Sequence, residues 1–228
     1  MKPRTPTTSH GRNLRPQRPS SPLHYTAAQT ALLLLDYQGF IISQLAETGT
    51  AALATAARMR TWALEHGVTV VHSIVDVHAT PPAVCKGGPR IVAMLAGIRD
   101  DREAVEEPES VAFGGERGEF VVLKPPGVIS GLKSRGAMEL LGDRGIRSLI
   151  ICGLSTSGAV MRTAVPATDD GFVVSVISDA CADRKEGVHE MVLGTLLPNR
   201  VHVASADEFL GEWEKVGGGG KGKEDKRA

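Results

Sequence analysis

Two charged residues in this chain each close an apolar run, and a turn of small residues closes a third. Asp36 follows Ala31-Leu32-Leu33-Leu34-Leu35, and Lys124 follows Phe120-Val121-Val122-Leu123. Ser148-Leu149-Ile150-Ile151-Cys152 ends in Gly153, after which Leu154-Ser155-Thr156-Ser157-Gly158 leads into a helix-compatible segment from Ala159. Short continuous apolar runs read as parallel strands buried on both faces. The carboxyl ends of such strands share one edge, where ligands bind. An acid and an amine meeting there can work as a general acid/base pair, each tuning the other's pKa. First-turn amides after Gly153 have no intrahelical partner and favour an anion or a developing oxyanion. The plainer alternatives are that Asp36 caps the next segment and that Lys124 is a solvated loop residue. Position alone leans towards these, because strand ends are commonly polar.

The elements needed to position these residues are present in order. Thr50 to His66 reads as an alanine-rich helix with Leu53, Ala57 and Leu64 on one face, closed by Gly67. Val68 to Val75 is a β-branched strand, Phe172 to Ile177 another that stops at Ser178-Asp179, and Arg200 to Val203 a short last one. Leu132 to Leu141, Val188 to Leu197 (ended by Pro198) and Ala206 to Trp213 read as helices. Strands alternating with helices predict a three-layer α/β fold. Thr80 to Gly118, with a short helix around Ile91 to Leu95, is a long excursion suited to a lid or an oligomer contact.

Composition narrows the function classes. The 228 residues suffice for one α/β domain with a sizeable core. Basic and acidic residues balance at 26 each, so no global field argues for nucleic acid or a membrane surface. Aromatics are scarce, which weakens a base-stacking role. Apolar runs such as Ala31 to Leu35 are far short of the ~20 residues a membrane helix needs. Cys85, Cys152 and Cys181 show no paired spacing and suggest free thiols in a reducing, cytoplasmic compartment. Residues 1–26 hold five prolines and no acid and read as a disordered basic tail, and 214–228 as a second, glycine- and lysine-rich one. A single domain is expected over 27–213.

A resemblance adds to this reading. Ala31 to Gln38, Val122-Leu123-Lys124 with Ser130, Gly153 to Val160 with Thr163-Ala164, and Val176 to Ala180 follow one another as the motifs of the isochorismatase-like (cysteine hydrolase) superfamily do. The similarity spans roughly Thr30 to Leu210, and with Asp179-Ala-Cys181-Ala-Asp183 and His189 it is greatest to uncharacterised fungal and bacterial isochorismatase-like hydrolases. The resemblance implies a six-stranded parallel sheet with an Asp-Lys-Cys triad at its carboxyl edge. Asp36 matches the acid, Lys124 the lysine, and a cis peptide is implied between Leu154 and Ser155. Family members often form dimers or tetramers, so a homo-oligomer is expected. The family's cysteine falls on Ala159, however, and a methyl group cannot attack a carbonyl. Isochorismatases of the family also lack that cysteine and cleave a vinyl ether without a covalent enzyme intermediate. By that likeness Asp36, Lys124 and Ala159 mark the catalytic position, and Gln38, Leu154, Ser155, Thr156 and Gly158 line the substrate site.

Other candidates are weaker. Cys152 lies inside a strand as a small core residue, and Cys181 falls nearer the sheet edge. Asp76 and His78 match part of the metal site of nicotinamidases, but no histidine follows before His189, so no metal site and no cofactor are expected. Ser155, Asp179 and His202 have the chain order of an α/β-hydrolase triad, but Gly153-Leu-Ser155-Thr-Ser157 lacks the last glycine of that motif. His72, within a strand, reads as a structural histidine. The expectation is a cysteine-independent hydrolase acting on a small carboxylated molecule. The alternative is a non-catalytic member that binds a metabolite or partner protein.

Overall fold

The structure, a computed structural model, describes residues 18–217. Six strands form one sheet: β1 Thr30–Leu35, β2 Thr69–Val75, β3 Glu119–Lys124, β4 Ser148–Leu154, β5 Val173–Ala182 and β6 His202–Ala204. Their order is β3-β2-β1-β4-β5-β6, and every pair is parallel. The helices are α1 Gly39–Ile42, α2 Ala46–Glu65, α3 Gly88–Ala96, α4 Arg102–Val105, α5 Ala137–Asp143, α6 Met161–Asp169, α7 Val188–Met191 and α8 Ala206–Lys215.

The period-two geometry of a strand explains the three layers. All six residues of β1 are buried, and alternate ones enter different cores. Leu32 and Leu34 join Ile150, Met59, Phe209 and Trp213 beneath α2 and α8. Leu33 and Leu35 join Ile151, Leu141 and Ala164 beneath α5 and α6. The strand order reverses between β1 and β4, the switch point where a doubly wound sheet opens a crevice. Leu35 pairs with Gly153 there, and a Cβ on Gly153 would stand 2.6 Å from that of Leu35. Only glycine permits this approach.

Several elements differ from expectation. The helix after β4 begins as a wide turn, Thr156–Val160, in which the Val160 N–H donates to the Ser155 carbonyl (3.2 Å), before α6 runs regularly. Residues Leu132 to Leu141 form a short 3-10 turn and then α5. The chain between is held by Arg135 N–H donating to the Leu123 carbonyl (2.8 Å). Val188 to Leu197 is helical only as far as Met191 and then widens into a second wide turn. β5 does not stop at Ser178-Asp179. It bulges there and continues to pair Cys181 with Gly153, while the Asp179 carboxylate accepts the Ala206 N–H at the start of α8 (2.8 Å). The N-terminal boundary also moves. Pro22–His24 forms a 3-10 turn with Leu23 fully buried, so part of the expected tail belongs to the fold. α8 runs to Lys215, slightly past the expected end. The remaining tail segments, 1–17 and 218–228, lie outside the described residues.

Candidate active site

Asp36 is the first residue beyond β1 and has φ 61°, the left-handed region that aspartate enters more readily than β-branched residues. Its N–H donates to the Ser73 carbonyl (3.0 Å), fixing the turn to β2. Lys124 ends β3, two strands away. The four-carbon stem lets the ammonium cross beneath the end of β2, where Nζ donates to Asp36 Oδ2 (2.7 Å) and to the Ile129 carbonyl (3.0 Å). Both residues are buried, Lys124 more completely. Asp36 Oδ1 has no hydrogen-bond partner.

Burial is the main influence on the Asp36 carboxyl and raises its pKa to about 6, despite the opposing charge and hydrogen bond of Lys124. The Glu107 carboxylate adds to the rise. Asp36 therefore keeps a proton at a pH where an ordinary aspartate has lost it.

Asp36 opens onto a cleft of about 710 Å³ at the switch point. Leu154, Ser155, Gly158 and Ala159 form one wall, with Gly158 and Ala159 in the wide turn. The peptide between Leu154 and Ser155 is cis. The opposite wall is Cys85, Arg90 and Ile91, from the excursion, and the rim includes Arg184 and Lys185. Sequence reasoning missed these wall and rim residues. The excursion carried no motif, and only three-dimensional folding brings Gly88–Ala96 across the sheet edge.

Three expected participants have other duties. Gln38 is buried, and its amide is spent on the backbone. Oε1 accepts from Val75 N–H (2.8 Å), and Nε2 donates to the carbonyls of Val75 (3.1 Å) and Val105 (2.7 Å). It clamps loops together and does not line the cleft. Thr156 is likewise buried, its hydroxyl paired with His189 Nδ1 (2.9 Å). Lys124 meets the cleft only through Asp36.

The anion site expected after Gly153 is partly filled by the chain itself. Asp183 Oδ2 accepts both the N–H (2.8 Å) and the hydroxyl (2.7 Å) of Ser157. Partial burial would raise the Asp183 pKa, but these bonds outweigh it and lower it below the ordinary value. The Gly158 and Val160 N–H groups both donate to the Ser155 carbonyl.

The other candidates separate. His202 Nε2 lies 2.7 Å from the Ser20 carbonyl and Asp179 caps α8, so Ser155 has no triad. Cys181, opposite Gly153 near the end of β5, is buried, and burial pushes its thiol up to about 12. Burial also pushes the Cys152 thiol well above its ordinary value. The Asp76 carboxylate accepts the His78 N–H (3.1 Å), a local turn. Among the described residues no group of three His, Cys, Asp or Glu could hold a metal ion.

Comparison with known families matches the isochorismatase domain over residues 30–208. The chain belongs to the isochorismatase family. Maleamate amidohydrolase of Pseudomonas putida is 29% identical over 166 residues, covering 70% of this chain and 75% of that protein. Phenazine biosynthesis protein PhzD1 of Pseudomonas aeruginosa is 28% identical over 187 residues, covering 80% and 85%. Among solved structures, an isochorismatase family protein from Burkholderia thailandensis superposes with a TM-score of 0.66 at 20% identity, over 82% of this chain and 96% of that one. The nicotinamidase PncA from Bacillus subtilis superposes at 0.61 with 18% identity, over 78% and 99%. These structures share the fold. The protein is an isochorismatase-family hydrolase, and among its described residues no helix is long and apolar enough to cross a membrane.

Proposed function

We propose that this hydrolase cleaves a vinyl ether, or a related acid-labile bond, in a small carboxylated metabolite without a covalent enzyme intermediate. The observation that carries this reading is the pairing of a proton-holding Asp36, one oxygen free of hydrogen bonds, with a methyl group at the family's nucleophile position. Protonated Asp36 gives its proton to the carbon of the vinyl C=C bond, and the carboxylate so formed is met by Lys124 Nζ at 2.7 Å. Water adds to the resulting oxocarbenium carbon and returns a proton to Asp36. The hemiketal then breaks its C–O bond, releasing an alcohol and a ketone. Ala159 takes no part in bonding and leaves room beside Ser155 and Gly158. Arg90, Arg184 and Lys185 supply positive charge for substrate carboxylates. The three free thiols suit a reducing, cytoplasmic setting.

The test is hydrolysis of isochorismate, maleamate, nicotinamide and simple amides by the wild type, Asp36→Asn and Ala159→Cys. The expected result is vinyl-ether turnover that falls by roughly 10²–10⁴ in Asp36→Asn, the usual worth of a general acid. Amide turnover gained only by Ala159→Cys would replace this reading with an amidase scaffold that has lost its nucleophile.

A further inference from the structure

The chain that leaves β5 grips the cleft wall at two points, and the reaction above uses neither. β4 and β5 run side by side to their ends, where Gly153 pairs with Cys181 and Leu154 with Ala182. Asp183 therefore leaves the sheet beside the turn that follows β4. Its Oδ2 accepts the Ser157 N–H (2.8 Å) and the Ser157 hydroxyl (2.7 Å), and Oδ1 accepts the Lys185 N–H (3.3 Å). The Arg184 N–H approaches the same carboxylate and helps to hold its pKa low. A carboxylate offers about four acceptor positions, and these donors take them up. Asp183 fastens chain to chain and has no acceptor left for a ligand.

His189, in α7, makes the second grip. Its Nδ1 lies 2.9 Å from the hydroxyl of the fully buried Thr156. Between the grips the chain turns back, with the Val188 N–H donating to the Lys185 carbonyl (3.2 Å) and Gly187 at φ 72°. That short span carries Arg184 and Lys185, which are exposed and line the cleft. Neither side chain has a hydrogen-bond or ion-pair partner among the described residues. With long, freely rotating stems and no partner, their reach is set by the backbone that carries them.

We propose that Asp183 and His189 are positioning residues for carboxylate recognition: by fastening both ends of this span to Ser157 and Thr156, they hold Arg184 and Lys185 in place against the cleft wall. Thr156 and Ser157 belong to the same wide turn as Gly158 and Ala159, so wall and cations form one unit. A loose span would have to be ordered each time a ligand bound, at a cost in affinity. By charge alone, a carboxylate in the cleft repels a carboxylate ligand. Charge and positioning therefore predict opposite effects when Asp183 is replaced.

This inference rests on the proposed binding of a carboxylated substrate, and the experiment separates it from the proposed reaction. Isochorismate binding is measured by calorimetry in the full-length protein carrying Asp36→Asn, so that the probe is not consumed. Adding Asp183→Ala should weaken binding by roughly 10–100-fold, the worth of a charge-assisted hydrogen bond. Asp183→Asn keeps an acceptor for Ser157 without the charge and should bind at least as tightly as the parent. His189→Ala should also weaken binding, and His189→Asn, which keeps a polar group at the Nδ1 position, should restore it. The second pair preserves the test if Asp183→Ala does not fold. Unchanged or tighter binding in folded Asp183→Ala overturns the inference and leaves the reaction standing. Equal weakening by Asp183→Ala and Asp183→Asn also overturns it, since a general loosening of the fold would not spare the asparagine. The expected binding pattern, with no isochorismate turnover when Asp36 is intact, leaves the inference standing and sinks the reaction. A parent that does not bind isochorismate removes Arg184 and Lys185 as its carboxylate site, and the inference with them.

Discussion

A carboxyl that ionises near pH 6 imposes a direction on any reaction it drives. If the protonated form of Asp36 is required, kcat/KM is full below about 6 and declines as pH rises through that value. Lys124→Met removes the cation that holds the Asp36 pKa down, so the declining limb should move to higher pH while the maximum rate falls. A limb that moves to lower pH in this variant would mean that another group controls the profile. Asp36 and Lys124 were legible in the sequence because strand ends in a parallel sheet converge on one edge. Gln38 and Thr156 were misread for the same reason. Proximity to the edge is visible in sequence, but whether a side chain faces the cleft or bonds to backbone is not. Gln38 spends its donors and acceptor on Val75 and Val105, partners 37 and 67 residues away.

Among the secondary-structure elements, strand identity was plain because continuous apolar runs are unambiguous when short. Helix boundaries were not. The wide turns at Thr156–Val160 and Val192–Leu196 have helical composition but non-standard hydrogen bonding. At the bulge that lengthens β5, Asp179 caps α8, a tertiary contact. The excursion showed least. His72 read as a structural histidine, yet nothing local indicates that Glu107 and Glu119 meet it. This cluster gives the stretch holding Glu107 a pH-dependent hold on the sheet. Burial would lower the His72 pKa, but Glu107 and Glu119 outweigh it and raise it above its ordinary 6.5. The stabilisation from His72 is therefore full below about 6.5 and is lost as pH rises through the higher folded value. For Glu119, burial would raise the pKa, but the bonds from Arg60, His72 and Gly114 lower it below its ordinary 4.5. Its contribution is full above about 4.5 and is lost as pH falls through the lower folded value. Urea unfolding should thus show stability declining on the alkaline side, with the slope reduced in His72→Gln. Glu119→Ala, which removes one of the two carboxylates bonded to His72 and the partner of Arg60, should cost about 1.5–3 kcal/mol. An unchanged alkaline slope in His72→Gln would show that the ring is not charged in the folded protein.

The molecule as a whole is closed by a segment that composition assigned to the tail. Proline, serine and arginine dominate the first 26 residues, and that bias hides one leucine with a place in the core. Leu23 is fully buried in the core under α2 and α8, the one that also holds Trp62, Phe209 and Trp213. The Trp62 and Trp213 rings meet edge-to-face at 5.2 Å. The turn carrying Leu23 is fixed at both ends. The Ser21 hydroxyl accepts the Leu23 N–H (3.3 Å), and the Ser20 carbonyl lies 2.7 Å from His202 Nε2 on β6. His202 thus ties the Ser20 backbone to the last strand, where sequence order alone had offered it as a catalytic base. Leu23→Ala should therefore behave as a core truncation and cost about 2–5 kcal/mol, according to how far the site collapses. His202→Ala, which removes a partly exposed bond, should cost only about 0.5–1.5 kcal/mol. Neither change touches Asp36, Lys124 or the cleft, so turnover per folded molecule should stay at the wild-type level. A loss below about 0.5 kcal/mol in Leu23→Ala, the level of an ordinary surface substitution, would show that the segment only rests on the domain. In that case the fold begins at Thr30.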